Sequence, residues 1–189
     1  MIGRASRRRP PSRASRNLSM STLRFPVAII LERTPLAHRW ASEKWAPAAI
    51  EVEADADADA NPAAPLLLQD DPHGSRWRFS GHAIELHRTE AEGYHLNVTA
   101  PEPKVFVMWR TSEDPAATPA AFPVVVTVSY NEAARMLDGG ERVDAVPMPA
   151  EILGWLQPFV AEHYKPEPRR KVRRNDPLRD ERQRRGTRH

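Results

Sequence analysis

The chain of 189 residues contains no cysteine. That absence rules out a thiolate nucleophile, a disulfide relay, an iron–sulfur cluster and any cysteine zinc site. It fits a reducing compartment, and a cytoplasmic protein is expected. Glycine is also scarce: the eight present form no G-x-x-x-x-G-K-[ST] phosphate loop, no G-x-G-x-x-G turn and no G-x-S-x-G elbow. Nucleotide-using enzymes of those types are disfavoured. Apolar runs such as Val27 to Leu31 and Val124 to Val126 fall far short of the ~20 residues that span a bilayer. The arginine-rich start is followed by Pro10 and Pro11 rather than an apolar stretch, so neither a signal peptide nor a membrane partner is expected.

Charge is distributed unevenly. Residues 1–24 hold seven arginines and no acid, and residues 165–189 hold eleven Lys and Arg against four acids, so each end carries +7. The segment 25–164 holds ten basic and 21 acidic residues, a net of −11, and the whole chain is +3. Both ends are rich in Arg and poor in aliphatics, with Ser and Pro in the first and Pro in the second. Such segments bury too little apolar surface to offset chain entropy and are expected to be disordered. An acidic body disfavours a nucleic-acid face, because phosphate binding needs clustered Lys and Arg; only the basic ends could supply one. Met20, close to the start of the folded segment, is a second candidate start beside Met1.

The segment 25–164 reads as one β-rich domain. FPVAIILER has the branched composition of a short strand ended by Thr34-Pro35, and Pro47 divides HRWASEKWAPAAIEVE into two short strands. Residues 54–65 form a low-complexity loop with no apolar side chain larger than alanine. Asp55, Asp57, Asp59 and Asn61 have the spacing that opens a calcium loop, but Ala60 stands where glycine is required and Leu66 where glutamate is; a solvated linker is the better reading. AIELHR, YHLNVT and KVFVMWR read as a three-strand antiparallel meander, with Tyr94, Leu96 and Val98 on one face of the second strand. In the third, Val105, Val107 and Trp109 alternate with Phe106 and Met108. Both faces are apolar, so this strand should be central or covered. FPVVVTVSY supplies a fourth strand.

Ser129 and Glu132 form an S-x-x-E capping box for a short helix that Gly139-Gly140 stop. After a turn through Asp144, Pro149 opens a C-terminal helix bearing Ile152, Leu156, Phe159, Val160 and His163 at helical spacing, with a kink expected at Pro158. The fold class is α+β: mainly an antiparallel sheet or partly open barrel, with one short and one C-terminal helix.

Catalytic chemistry is not indicated. No two histidines have helical metal spacing, and His82 and His87 fall on opposite strand faces. Glu85, Glu90 and Glu92 flank an expected exposed hairpin, where nothing would raise a carboxyl pKa. Trp109-Arg110 and Tyr130-Asn131 are the candidates for a ligand or partner groove, against the plainer reading of core and corner residues. No catalytic residue, metal ligand or cofactor is assigned.

Several runs occur in one order: PVAIILERTPL with Arg39-Trp40 and Lys44-Trp45, EAEGYHLNVTAPEPKVFVMWR, VTVSYNEAARMLDGGERVDAVPMPAEILGWL and FVAEHYKPEPRRK. Together they resemble a family of short bacterial proteins carried as a domain of unknown function. The resemblance implies a genetic setting beside molybdenum-dependent formate dehydrogenase, and some relatives are labelled molybdopterin-guanine dinucleotide synthesis proteins. A guanylyltransferase of that pathway resembles a nucleotide-binding α/β fold with an L-x-G-G-x-S-x-R-x-G turn, which this chain lacks. The resemblance therefore implies a non-catalytic accessory protein that contacts formate dehydrogenase or a maturation factor. The alternative is a small enzyme or ligand-binding protein of molybdopterin metabolism.

Overall fold

The computed structural model describes residues 23–38, 41–54 and 64–166. Apart from a few flanking residues, the basic ends and the 54–65 loop lie outside the described residues, as does the calcium-loop reading at Asp55 to Asn61. The element order is β1 (Leu23–His38), β2 (Ala41–Val52), β3 (Leu66–Asp71), β4 (Gly74–Leu86), a 3₁₀ turn (Arg88–Glu90), α1 (Ala91–Val98), β5 (Lys104–Thr111), β6 (Ala121–Thr127), α2 (Tyr130–Asp138), β7 (Arg142–Pro147) and α3 (Ala150–His163). The strands form two antiparallel sheets, ordered β2-β1-β4-β3 and β6-β5-β7. The α+β class holds, with the strands divided between two sheets.

One core joins the sheets. Val27, Ile29 and Leu31 of β1 and Phe79 and Ile84 of β4 pack with Val105, Val107 and Trp109 of β5, and Ile152, Leu156, Phe159 and Val160 of α3 complete it. β5 is the central strand of its sheet and residues 105–109 are buried on both faces, as their composition requires. On the outer face of the larger sheet, Arg76 pairs with Glu32 at 2.9 Å, and Arg78 with Glu51 and Glu53 at 2.8 Å each.

Four expectations are corrected. β1 runs on past Thr34-Pro35 to His38. Pro47 does not divide β2: Ile30 pairs with Ala49 and Leu31 with Pro47, so Ala48 is the extra residue of a bulge in one continuous edge strand. An edge strand tolerates the missing N–H of proline, and the bulge absorbs the distortion.

YHLNVT is not a strand but most of α1. Tyr94 and Asn97, three apart, are fully buried, whereas Leu96 is 47% exposed. That is helical spacing, and tertiary burial overrides the period-2 pattern of Tyr94, Leu96 and Val98. The segment through Asp144 is likewise not a turn but β7, paired along β5 from Lys104↔Pro147 to Trp109↔Arg142.

The capping signal at Ser129 is realised in altered form. Ser129 Oγ accepts the Glu132 backbone N–H at 3.1 Å. The Glu132 carboxylate accepts from Thr127 Oγ1 at 2.6 Å, and that oxygen accepts the Ser129 N–H at 3.1 Å. The box therefore closes through Thr127. At the other end Gly140, with φ +84°, completes a Schellman motif: Glu141 N–H donates to the Met136 carbonyl and Gly140 N–H to that of Leu137. Among the described residues, no helix is long and apolar enough to cross a membrane.

Candidate functional site

Strand register alone assembles a polar row on the inner face of the larger sheet, beyond the end of the core. Trp45 of β2 lies opposite Arg33 of β1, Arg33 opposite Ser75 of β4, and Ser75 opposite Asp70 of β3. Directly opposed residues share a face, so four strands contribute one side chain each. Glu43 and Trp77, two residues along their own strands, join the same face. Gly74 makes the approach possible, because a Cβ there would overlap the Arg33 carbonyl.

These six residues line a cleft of about 240 Å³, closed by Ala117 to Ala120 of the β5–β6 loop, where the Thr118-Pro119 bond is cis. Each indole donates to a group two residues before it: Trp45 Nε1 to Glu43 Oε1 at 2.8 Å, and Trp77 Nε1 to Ser75 Oγ at 3.2 Å. Arg33 Nε donates to the same Ser75 oxygen at 3.1 Å. Its terminal nitrogens reach Glu43 at 3.5 Å and Asp70 at 3.8 Å, longer than the ~2.7–2.9 Å of a charge-assisted hydrogen bond. The Arg33 fork is thus anchored at one atom and loosely paired at its tip.

Beside the cleft, β3 forms the outer edge of the sheet. Leu66, Leu67 and Leu68 are 58%, 43% and 48% exposed, and among the described residues no strand pairs with the far side of β3. Leu66 pairs with Arg78, Leu67 with Trp77 and Gln69 with Arg76 on β4, which leaves Leu68 as the extra residue of a bulge.

A second polar cluster joins α1 to α2. Glu90 accepts from Ser129 Oγ at 2.6 Å and from Arg135 at 2.7 Å. Burial would raise its carboxyl pKa, but these two donors outweigh burial and hold it below the usual carboxylate value. Glu90 therefore does not flank an exposed hairpin; it is a partly buried anchor, its side chain 15% exposed. Glu53 behaves alike: the Gly81 N–H, Ser80 and Arg78 together outweigh burial and lower its pKa. Burial pushes the His82 imidazole below its usual value, with Glu53 opposing. Among the described residues, no group of three or more His, Asp or Glu could hold a metal ion.

The groove candidates named from sequence are placed apart. Trp109 is in the core, its indole donating to Asp144 at 2.6 Å beneath the Arg142 guanidinium. Arg110 is on the opposite, outer face, in a two-bond pair with Glu141. Tyr130, the first residue of α2, packs edge-on against Phe106, also on the outer face, and Asn131 follows it beside Gly93. Trp109 thus faces away from Arg110 and Tyr130.

A family described as "Protein of unknown function (DUF3305)" matches residues 26–173. The chain belongs to the DUF3305 family. No curated protein and no solved structure matches it. The matched span takes in every described strand and helix except the first three residues of β1. The sequence marks the cleft residues by one local signal only, an acceptor two residues before a tryptophan, in Glu43-Lys44-Trp45 and again in Ser75-Arg76-Trp77.

Proposed function

We propose that this DUF3305 protein is a non-catalytic accessory protein, acting through protein contact in the maturation or regulation of a molybdenum-dependent formate dehydrogenase in the cytoplasm. The observation that carries protein contact is the β3 edge, where three adjacent leucines are exposed on a strand whose outer backbone groups have no strand partner among the described residues. Exposed edges and contiguous apolar patches of this kind mark interaction surfaces. The formate dehydrogenase context comes from the resemblance of the runs quoted above. The basic ends, outside the described residues, would add salt-sensitive attraction to an acidic partner.

The test is formate-dependent dye reduction in extracts of a deletion strain, with and without excess molybdate, and with formate dehydrogenase protein quantified in parallel. Lost activity at normal enzyme level is the expected result. Unchanged activity would remove the formate dehydrogenase assignment.

A second reading, a ligand-binding protein or small enzyme of molybdopterin metabolism, draws on the cleft, where two indoles and the loosely paired Arg33 meet. A pterin or nucleotide released on denaturing the purified protein would favour it.

A further inference from the structure

The two outer strands of the larger sheet are built differently. β2 carries Lys44, Pro47 and the bulge at Ala48, and it lies against β7 of the second sheet. Lysine, proline, bulges and a covering element are the devices that stop a sheet edge from accepting another strand. β3 shares only the bulge. Its sequence, Leu-Leu-Leu-Gln-Asp-Asp, has neither lysine nor proline, and its principal packing partner is β4. The first half is apolar and exposed, and the second half is acidic, with the Asp70 side chain 61% exposed.

We propose that β3 accepts an extended segment of a partner protein as a fifth strand, and that this segment carries basic residues followed by β-branched apolar residues. The proposal rests on the protein-contact reading above and specifies its chemistry. Outward N–H and C=O groups on a strand edge are matched by another strand, which fixes the occupant as extended chain. Antiparallel pairing is the more stable arrangement. It sets the first residues of the partner segment against Asp70 and Asp71 and the last against Leu66 and Leu67, so the basic residues come first.

A second copy of this chain fits poorly. Antiparallel pairing over the whole of β3 sets Leu66 opposite Asp71 and Leu67 opposite Asp70, and parallel pairing in register sets acid beside acid. Cross-strand pairs of those kinds are unfavourable.

The experiment uses the full isotopically labelled chain, the peptide acetyl-Lys-Arg-Gln-Val-Thr-Val-amide and its reversed sequence of identical composition. Amide shifts and slowed hydrogen exchange are expected within Leu66–Asp71 for the first peptide, with at least tenfold weaker binding of the reversed one. The double variant Leu67→Lys/Leu68→Lys should lose binding by a similar factor with an unchanged thermal melt, whereas Leu96→Lys, at an exposed leucine of α1, should bind as the unaltered chain does. Absence of binding, equal binding of both peptides, or binding indifferent to the double variant overturns the proposal. Concentration-dependent dimerisation that protects β3 without peptide also overturns it, in favour of a second copy. Because the measurement uses purified chain, its failure leaves the deletion-strain test standing, and a negative deletion strain leaves this one standing.

Discussion

Asn97 and Lys104 are joined in both directions: the Lys104 backbone N–H donates to Asn97 Oδ1 at 2.9 Å, and Asn97 Nδ2 donates back to the Lys104 carbonyl at 2.7 Å. The same amide nitrogen reaches the Val128 carbonyl at 2.8 Å. One fully buried side chain thus fastens α1 to the start of β5 and to the chain leaving β6. Replacing Asn97 with Ala strands three main-chain groups in the interior, and a loss of about 2–4 kcal/mol is expected in urea unfolding. A loss below about 1 kcal/mol would mean that water or a rearranged neighbour replaces the amide.

Gly93 is where α1 meets α2. A Cβ at this position would overlap Ser129 Oγ and stand 3.1 Å from the Asn131 nitrogen. Alanine is the better helix former by about 1 kcal/mol, yet Gly93→Ala should lower the melting temperature, because overpacking costs about 1–3 kcal/mol. A raised melting temperature would show that the two helices separate freely.

Glu90 sets an acid limit. Its carboxyl pKa is lowered in the folded chain from 4.5, so its contribution is present above pH 4.5 and is lost as the pH falls below that value. Glu90→Gln should lower stability at neutral pH and flatten the stability profile below pH 4.5. A profile with the same acid slope in both proteins would assign that slope to other carboxylates.

Tyr94 sets an alkaline one. Burial raises its hydroxyl from 10.0 to about 12, and that hydroxyl accepts the His87 N–H at 3.1 Å. A raised folded pKa gives stability that is fully present below pH 10 and drains away between pH 10 and about 12. Tyr94→Phe should cost about 1 kcal/mol at neutral pH and remove its share of that alkaline loss, as read by denaturant unfolding at each pH.

Ser75 is the shared acceptor of the cleft. With Ser75→Ala, Arg33 Nε and Trp77 Nε1 both lose their partner. The Trp77 indole N–H resonance should shift while that of Trp109, held by Asp144, stays in place. Stability should fall by about 1–2 kcal/mol. A stationary Trp77 resonance would show that its indole has another partner in solution.

Elements whose signal is local could be read from the sequence: the capped α2, the doubly apolar β5 and the amphipathic α3. α1 could not, since Tyr94, Leu96 and Val98 satisfy a strand period, and only packing against α3, with Tyr94 edge-on to Phe159 at 5.9 Å, selects the helix that buries Tyr94 and exposes Leu96. β7 escaped because it has one buried side chain, Val146, in six residues. β3 and the first part of β4 are marked in the sequence only by the turn Asp71-Pro72-His73-Gly74 between them. The cleft was illegible for a different reason. Arg33 and Ser75 stand 42 residues apart, and nothing local specifies which residues of four strands will share one row.

The unequal edges of the larger sheet also bound what it can build. A sheet open on both sides can recruit strand after strand into a fibre, whereas one capped by Lys44, Pro47 and β7 on one side can grow in a single direction. Were a strand to dock on β3, the β2 side, with its lysine, proline, bulge and β7 contact, would disfavour passing the pairing on to another molecule. The geometry of this sheet therefore confines any added strand to the β3 side.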